Sequence, residues 1–248
     1  MCTVTWWYAD DGYDVFFNRD ELKTRLAEIE PRAQSLAGVR FVAPADADAG
    51  GTWLLVNEFW LTVGVLNQYP QHVRSPRGPR VSRGQLVRSL GSCRSVEAFQ
   101  ACLAATDLTH FMPFKLFAVG VGGACVMGWD SHHLTQLHAA EEPLPLTSSS
   151  YQTALVEPAR KHLFLDALLT GDKPYGPAFL QAFHRISFAG EDGAYGVCME
   201  REDARTVSFS HICVRHADAA LFNYQRRSAA HGGFERNMSV RLELASHV

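Results

Sequence analysis

The sequence predicts an α+β fold in which helices are layered on antiparallel β-sheets. Runs of β-branched and aromatic residues come in pairs joined by short turns, which is typical of β-hairpins. Helical segments fall into two groups between the groups of strands, so the order does not alternate as in a parallel βαβ fold. The 248 residues, 47% of them hydrophobic, suffice to bury a large core, and we expect one domain over residues 1–248.

Three strand pairs are predicted in the first half, each across a turn that contains Gly, Asp or Asn. They comprise residues 3–8 with 13–17, 52–56 with 60–66, and 114–119 with 124–129. Helices are predicted over residues 85–90 and 95–104, where Ser95 is a candidate N-cap. Proline and glycine interrupt residues 21–50 and 68–82, so we expect mostly irregular structure in both segments.

The second half is predicted to hold two helices and three further strands. Pro158 suits a first helical residue and Gly171 a C-cap, which predicts a helix between them after a polar loop over residues 139–157. A shorter helix is predicted over residues 177–185. The predicted strands are residues 196–200, 206–214 and 219–225.

Composition and the missing motifs narrow the classes of function. A net charge of −3 and a pI near 6.4 argue against a nucleic acid or a membrane surface as the partner. No signal peptide is recognised, and the longest apolar run, residues 116–129, is too short for a transmembrane helix, so we expect a cytoplasmic protein. The six cysteines include no CxxC pair and the eleven histidines no HExxH motif, so we expect neither a metal nor a cofactor.

Cys2 is the clearest candidate for a chemically reactive residue. It follows the initiator methionine, and the small side chain of cysteine favours removal of Met1. Removal would give Cys2 a free α-amine with a pKa of about 7.7–8.0, beside a thiol with an ordinary pKa of about 8.5. The amine can then accept the thiol proton near neutral pH, so one residue supplies both nucleophile and base.

The predicted hairpin places the end of its second strand, Asn18-Arg19-Asp20-Glu21, beside Cys2. The Arg19 guanidinium would favour the thiolate, and a nearby carboxylate could hold the α-amine. Adjacent residues on a regular strand point to opposite faces, so Arg19 and Asp20 both face Cys2 only where the strand ends or bulges; otherwise Arg19 and Glu21 share a side. The alternative is a solvated turn whose charges face water.

Several other residues are considered as site residues because of their positions in the sequence. Asn67 ends a predicted strand, where its amide can donate to a developing oxyanion; the alternative is a cap for the turn that contains Tyr69. Trp53 is expected in the core rather than in a pocket. Five arginines cluster between residues 74 and 88: Arg74, Arg77, Arg80, Arg83 and Arg88. This basic region is either a solvated loop or a rim for an anionic ligand, such as a carboxylate, a phosphate or a haem propionate.

Five motifs occur in a fixed order: Met1-Cys2, Asn18-Arg19-Asp20-Glu21, Gly50-Gly51-Thr52-Trp53, Leu66-Asn67-Gln68-Tyr69 and Ser82-Arg83-Gly84-Gln85-Leu86-Val87. In these motifs the sequence resembles the Transport and Golgi organisation 2 family, also called the NRDE family, most clearly over its first third. The resemblance implies an N-terminal-nucleophile (Ntn) hydrolase-like fold, a four-layer αββα sandwich. It also implies kinship with choloylglycine hydrolases and penicillin V acylases, which cleave linear amides with an N-terminal cysteine.

The resemblance implies roles for individual residues. Cys2 would be nucleophile and base, with Arg19 flanking it. Asp20 would orient the amine, and Asn67 would donate to the oxyanion. Arg160 is a candidate outer arginine, because its surroundings are similar to a Pro-x-Arg-Lys segment of the family. Weaker substrate contacts are expected from a further set: Asn18, Glu21, Trp53, Tyr69, Arg83, Ser149 and Arg160.

Two functions are compatible with these motifs. The first is a cysteine hydrolase that cleaves a linear, non-peptide amide through a thioester. The second is a non-catalytic binding or trafficking factor for haem or an acyl-lipid on the same scaffold. The acylases have their Arg and Asp three apart, whereas Arg19 and Asp20 are adjacent, and serines near Ser149 stand where a further asparagine is expected. The missing asparagine favours the binding factor. The sequence does not identify the substrate or the oligomeric state.

Overall fold

The computed structural model describes residues 2–70, 72–138, 144–215 and 219–245. The first strands in chain order are β1 (Cys2–Ala9), β2 (Gly12–Leu22), β3 (Ile29–Leu36), β4 (Val39–Ala45), β5 (Leu54–Asn57), β6 (Thr62–Asn67), β7 (Phe114–Gly120) and β8 (Gly123–Trp129). The later strands are β9 (Leu134–Leu137), β10 (Leu146–Ser148), β11 (Ala204–Arg215), β12 (Ala219–Arg226) and β13 (Met238–Glu243). The α-helices are α1 (Arg83–Leu90), α2 (Val96–Ala104), α3 (Thr153–Thr170) and α4 (Pro177–Phe183), with short 3-10 turns at Leu108–His110 and Gly190–Ala194.

The strands form two antiparallel sheets. The first sheet has the order β10-β1-β2-β11-β12-β13, and the second runs from β3 to β9 in chain order. Helix α3 packs on β10 and α4 on β1 and β2, whereas α1 packs on β5 and β6 and α2 on β7 and β8. The fold is therefore the expected four-layer αββα sandwich. Within the described chain, no helix combines the length and apolar character needed to cross a membrane.

The main hydrophobic core lies between the two sheets. Trp6 of β1 and Phe17 of β2 stack on Phe117 of β7, with ring centroids 6.1 and 6.2 Å apart. Phe16 points the other way and joins a second apolar cluster with Phe164 of α3. Odd-numbered residues of β2 thus face the second sheet and even-numbered ones face the α3–α4 layer. This alternation decides where each polar side chain at the end of β2 lies.

Most predicted elements are confirmed. The strand pairs are β1–β2, β5–β6 and β7–β8, and the strands at 206–214 and 219–225 are β11 and β12. The two helices of the first half are α1 and α2, and the Ser95 side chain caps α2 by accepting from the Ala98 N–H at 3.1 Å. The helix predicted at 177–185 is α4, and the described part of residues 68–82 is irregular.

Three predictions about irregular segments and strands are wrong. Residues 21–50 contain the end of β2 and all of β3 and β4. Strand β3 was not predicted because it is a polar, largely exposed edge strand with little hydrophobic alternation. Residues 196–200 form no strand, only a bridge between Glu200 and Arg205. The described part of the loop predicted over 139–157 contains β10 and the first turn of α3, and residues 139–143 lie outside the described residues.

The start of α3 is also a correction. The helix begins at Thr153, so Pro158 lies in its second turn, where the missing proline N–H removes one intrahelical hydrogen bond. Gly171 ends the helix as expected, and its N–H donates to the Ala167 carbonyl at 3.0 Å. The edge strands β9 and β13 were not predicted, because short edge strands carry weak hydrophobic patterns.

His184, at the end of α4, is fully buried beneath the first sheet. Its Nε2 lies 3.0 Å from the Thr5 hydroxyl, and its ring contacts Phe16 and Phe209. Burial, helped by the charge of Arg185, lowers the pKa of His184 to about 3. The folded protein therefore keeps this ring neutral at pH values where the unfolded chain binds a proton.

Acidification is expected to destabilise the fold through His184. With an unfolded pKa near 6.5, the contribution lost between pH 7 and pH 5 is about 2 kcal/mol of unfolding free energy. Urea unfolding at the two pH values measures the loss. In His184→Gln the amide can still bond to Thr5 but does not titrate, so the loss should shrink. The control His162→Gln, at an exposed site, should show the same loss of stability between pH 7 and pH 5 as the parent protein. An unchanged loss in His184→Gln would contradict this interpretation.

Candidate active site

Cys2 begins β1 and lies between two neighbouring strands. Its cross-strand partners are Arg19 of β2 and Ser148 of β10, and such partners share one face of the sheet. The Cys2 backbone N–H donates to the Ser148 hydroxyl at 3.2 Å. The hairpin therefore brings Arg19 beside Cys2, and it directs both side chains toward the second sheet.

A cavity of about 310 Å³ opens beside the Cys2 thiol. Its walls come from the ends of β1 and β2, from the end of β6 and from the segment that enters α1. The site residues that it brings together are Cys2, Arg19, Asp20, Glu21, Trp53, Asn67 and Arg83. A cavity of this size lies at the lower end of the range for small-molecule sites, about 300–1,000 Å³.

Arg19 is held rigidly in the cavity wall. Its guanidinium lies 4.2 Å from the centre of the Trp53 ring. Three carboxylates surround it, at 3.2 Å for Glu21, 3.4 Å for Glu28 and 3.7 Å for Asp46. These partners fix the orientation of Arg19 but also offset much of its positive charge, so its influence on the Cys2 thiol is reduced.

Burial dominates the titration of Cys2. It raises the pKa of the thiol above its ordinary value, and the negative charge of Asp20 adds to this effect. The Asp20 backbone N–H and the Arg19 charge oppose the shift without cancelling it. A thiol in this environment stays protonated near neutral pH, so any nucleophilic role needs a base to take its proton.

The Asp20 carboxylate is engaged by partners on the α3 side of the sheet. It accepts from Arg160 at 3.3 Å and from the Thr206 hydroxyl at 2.6 Å. The side chains of Asp20 and Arg160 are both completely buried. Strand β2 stays regular through Asp20, and the bulge lies opposite it on β11, between Thr206 and Ser208. Arg19 and Asp20 therefore point to opposite faces, the arrangement that adjacent strand residues predict.

Asn67 and Arg83 enter the cavity from the second sheet and from α1. The Asn67 amide nitrogen donates to the Tyr69 hydroxyl at 3.4 Å, and Tyr69 itself is more than a third exposed. Arg83 is the first residue of α1 and donates from Nη1 to the Pro113 carbonyl at 2.9 Å. Burial lowers the pKa of the Arg83 guanidinium, because the charge is partly removed from water.

Two glycines fix the loop that carries Trp53 against the start of α1. A Cβ atom on Gly51 would lie only 2.3 Å from the carbonyl carbon of Gly84, so neither backbone could approach the other with larger residues. The Thr52 N–H donates to the Gly84 carbonyl at 3.0 Å. This close contact places Trp53 and Arg83 in one wall of the cavity.

Four expected substrate contacts do not line the cavity: Tyr69, which accepts from the Asn67 amide, and three side chains that are held by partners elsewhere in the fold. The Asn18 amide faces the α3–α4 layer and donates to the carbonyls of His184 and Val197 at 2.9 and 2.8 Å. The Ser149 hydroxyl donates to the Tyr151 carbonyl at 2.6 Å. Arg160 binds Asp20 behind the sheet. We therefore assign structural roles to these three side chains, whereas Trp53, expected in the core, is buried and also lines the cavity.

Sequence reasoning missed two residues beside the site, Glu28 and Asp46, and from the run of serines near Ser149 it chose Ser149 rather than Ser148, which binds Cys2. Ser148 lies on the three-residue strand β10, within a segment expected to be a polar loop. Glu28 and Asp46 flank β3 and β4, in the segment expected to be irregular. No local pattern marks them, because each reaches the site through pairing distant in sequence. The described residues contain no group of three or more His, Cys, Asp or Glu side chains placed to hold a metal ion.

Solved structures share this fold at low sequence identity. A C2A mutant of conjugated bile acid hydrolase from Clostridium perfringens aligns with a TM-score of 0.61 and 12% identity over 97% of this chain and 92% of that chain. Penicillin V acylase from Agrobacterium tumefaciens aligns with a TM-score of 0.58 and 11% identity over 97% and 86%. The Caenorhabditis elegans ortholog of N-acylethanolamine-hydrolyzing acid amidase gives 0.56 and 11% over 86% and 92%. The chain therefore has the fold of the Ntn hydrolases.

Sequence comparison identifies the family. Curated protein sequences give no significant match. The family model described as Transport and Golgi organisation 2 matches residues 1–166, two thirds of the chain, and so includes Cys2, Arg19, Asp20 and Asn67. With its motifs, its fold and this match in agreement, the chain belongs to the Transport and Golgi organisation 2 family.

Proposed function

We propose that the protein is an Ntn cysteine hydrolase that cleaves a linear, non-peptide amide. The observation that carries this proposal is the placement of Cys2, whose thiol opens into a cavity that also contains the Asn67 amide. Cleavage before Cys2 would convert its backbone N–H, now 3.2 Å from the Ser148 hydroxyl, into a free α-amine. The nucleophile, its base and an oxyanion donor would then meet in one cavity.

The reaction proceeds in two halves. The Cys2 sulfur attacks the amide carbonyl carbon while the thiol proton moves to the α-amine. The tetrahedral intermediate collapses, the C–N bond breaks, and the departing amine takes that proton, which leaves an acyl-thioester on Cys2. A water molecule, deprotonated by the α-amine, then attacks the thioester carbonyl and releases the carboxylic acid and the Cys2 thiol.

The electrostatics of the site give each neighbour a role. The raised pKa of the Cys2 thiol makes an adjacent base necessary, and an α-amine with a pKa of about 7.7–8.0 is suited to that task. Asn67 would donate to the oxyanion, an interaction often worth about 2.7–4 kcal/mol in the transition state. Arg19, packed on Trp53, would hold positive charge beside the sulfur. Asp20, fixed by Arg160, would position the first residues of β1 rather than accept a proton.

A free Cys2 amine is expected to be essential for hydrolysis. Two preparations of the full chain would be compared, one with Cys2 at the N-terminus and one with a single alanine added before it, and intact mass would confirm each terminus. Only the first should release amine from a panel of N-acyl amides, because the added residue turns the α-amine into a non-basic amide. Equal turnover by both preparations would exclude the α-amine as base.

A second candidate function is a non-catalytic binding factor for haem or an acyl-lipid. The observation that favours it is the engagement of the Asp20 carboxylate by Arg160 and Thr206, two partners on the α3 side of the sheet. Such a factor would bind its ligand equally well with or without a residue before Cys2. Saturable titration of haem or acyl-CoA by both preparations, without amide turnover by either, would establish this function over the hydrolase.

A further inference from the structure

The two sides of the cavity differ in how their charges are compensated. Arg25 pairs with Asp46 at 2.5 Å, and Arg19 is surrounded by carboxylates as described above. On the other side, Arg80 and Arg83 form no ion pair with any carboxylate in the described part of the chain. The cavity therefore combines a neutralised wall with a wall that keeps excess positive charge.

Arg83 is the more informative of the two uncompensated cations. It is partly buried, and among the residues that the structure describes only one of its donor groups has a protein acceptor, the Pro113 carbonyl. Burial without a partner is unfavourable for a guanidinium and is the main reason that its pKa is lowered. A guanidinium offers planar, paired N–H groups that match a carboxylate, so a bound carboxylate would satisfy both its charge and its donors.

Trp53 gives a second, independent sign of a polar ligand. Its side chain lines the same cavity and is 6% exposed, yet the indole Nε1 has no hydrogen-bond partner among the described residues. A buried donor without an acceptor costs free energy unless a bound group supplies one. An acceptor-rich ligand in the cavity would lie beside this unsatisfied donor and would supply the acceptors that Arg83 lacks.

We propose that the substrate of this site is an amide carrying a carboxylate, and that Arg83 is the residue that selects for it. This inference rests on the proposed hydrolase function, because it assumes that the amide bond lies at Cys2 and the carboxylate at Arg83. Arg80, exposed at the rim, adds positive charge that attracts the anion. Neutral amides of the same size would bind without satisfying Arg83, and would be poorer ligands.

Binding to the full chain carrying Cys2→Ala tests the proposal without turnover. Calorimetry would compare two matched pairs of ligands. One pair has the charge on the amine side, N-hexanoylglycine against N-hexanoylglycinamide. The other has it on the acyl side, N-butylsuccinamic acid against N-butylbutanamide. The acid of at least one pair should bind roughly tenfold or more tightly than its neutral partner, as expected for a charge-assisted hydrogen bond.

The preference for the acid should depend on Arg83. Adding Arg83→Gln should remove it, and adding Arg83→Lys should keep part of it, because the charge remains without the planar donors. Arg88→Gln on the same helix is the control, since Arg88 is exposed and its side chain donates to the Gly50 carbonyl at 3.4 Å. Equal binding of acid and neutral ligand, no binding of either acid, or a preference that survives Arg83→Gln in a folded variant would overturn the proposal. Failure of amide hydrolysis in the parent protein would overturn only the proposed function.

Discussion

Replacing Cys2 with alanine is expected to abolish amide hydrolysis and to leave the fold intact. The sulfur is the nucleophile that attacks the amide in the proposed reaction, and removing such a group commonly lowers kcat by about 10³-fold or more. The side chain opens into a cavity, so its loss enlarges existing space and creates no new void in the core. Turnover of the same N-acyl amide by both proteins, with melting temperatures alongside, measures the two expectations.

Cys125→Ala is the matched control for this experiment. Cys125 lies on β8 of the second sheet, is 4% exposed and does not line the cavity. Its replacement should cost some stability through lost packing but leave hydrolysis unchanged. Full activity in Cys2→Ala, or equal losses of activity in both variants, would contradict a nucleophilic role for Cys2.

Replacing Arg160 with leucine is expected to give the largest loss of stability. Arg160 and Asp20 are both completely buried, and Nη1 of Arg160 donates to the carboxylate at 3.3 Å and to the hydroxyls of Thr3 and Thr147 at 3.1 and 3.3 Å. The substitution removes the Arg160 cation from the buried Asp20 charge, and breaking such a pair typically costs about 3–5 kcal/mol of unfolding free energy. Urea unfolding at neutral pH measures the difference.

Two further variants separate the buried pair from a general effect of losing an arginine. Arg241→Leu removes an exposed partner of Glu243 and should change stability little. Asp20→Asn combined with Arg160→Leu should be less destabilised than Arg160→Leu alone, because no charge is then left unpaired. A small loss in Arg160→Leu, similar to that in Arg241→Leu, would show that Arg160 does not hold the carboxylate.

The part of the site that could be predicted is the part made by local pairing. The turn at Asp10-Asp11-Gly12 fixes the register of one hairpin, and that register alone sets Arg19 opposite Cys2. The strand alternation likewise indicated that Arg19 and Glu21 share a side unless β2 bulges. Because β2 stays regular, Glu21 pairs with Arg19 while Asp20 turns away.

The rest depends on contacts between distant parts of the chain. Glu28 and Asp46 reach Arg19 from the ends of β3 and β4 in the second sheet, and the polar sequence of the edge strand β3 resembles a loop. Ser148 meets Cys2 across 146 residues, through a strand too short to show a period. The partners of Asn18, the carbonyls of His184 and Val197, lie more than 160 residues away, so its tetrapeptide motif could not reveal its structural role.

The most direct test of Cys2 as the nucleophile is to trap the acyl-enzyme. The protein with Cys2 at its N-terminus would be mixed with a slowly hydrolysed N-acyl amide and quenched in acid, and the intact mass would be recorded before peptide mapping. We predict an added mass equal to the acyl group, carried by the Cys2 peptide and absent from Cys2→Ala. Hydrolysis that proceeds in Cys2→Ala, or an acyl group found on another residue, would contradict the mechanism.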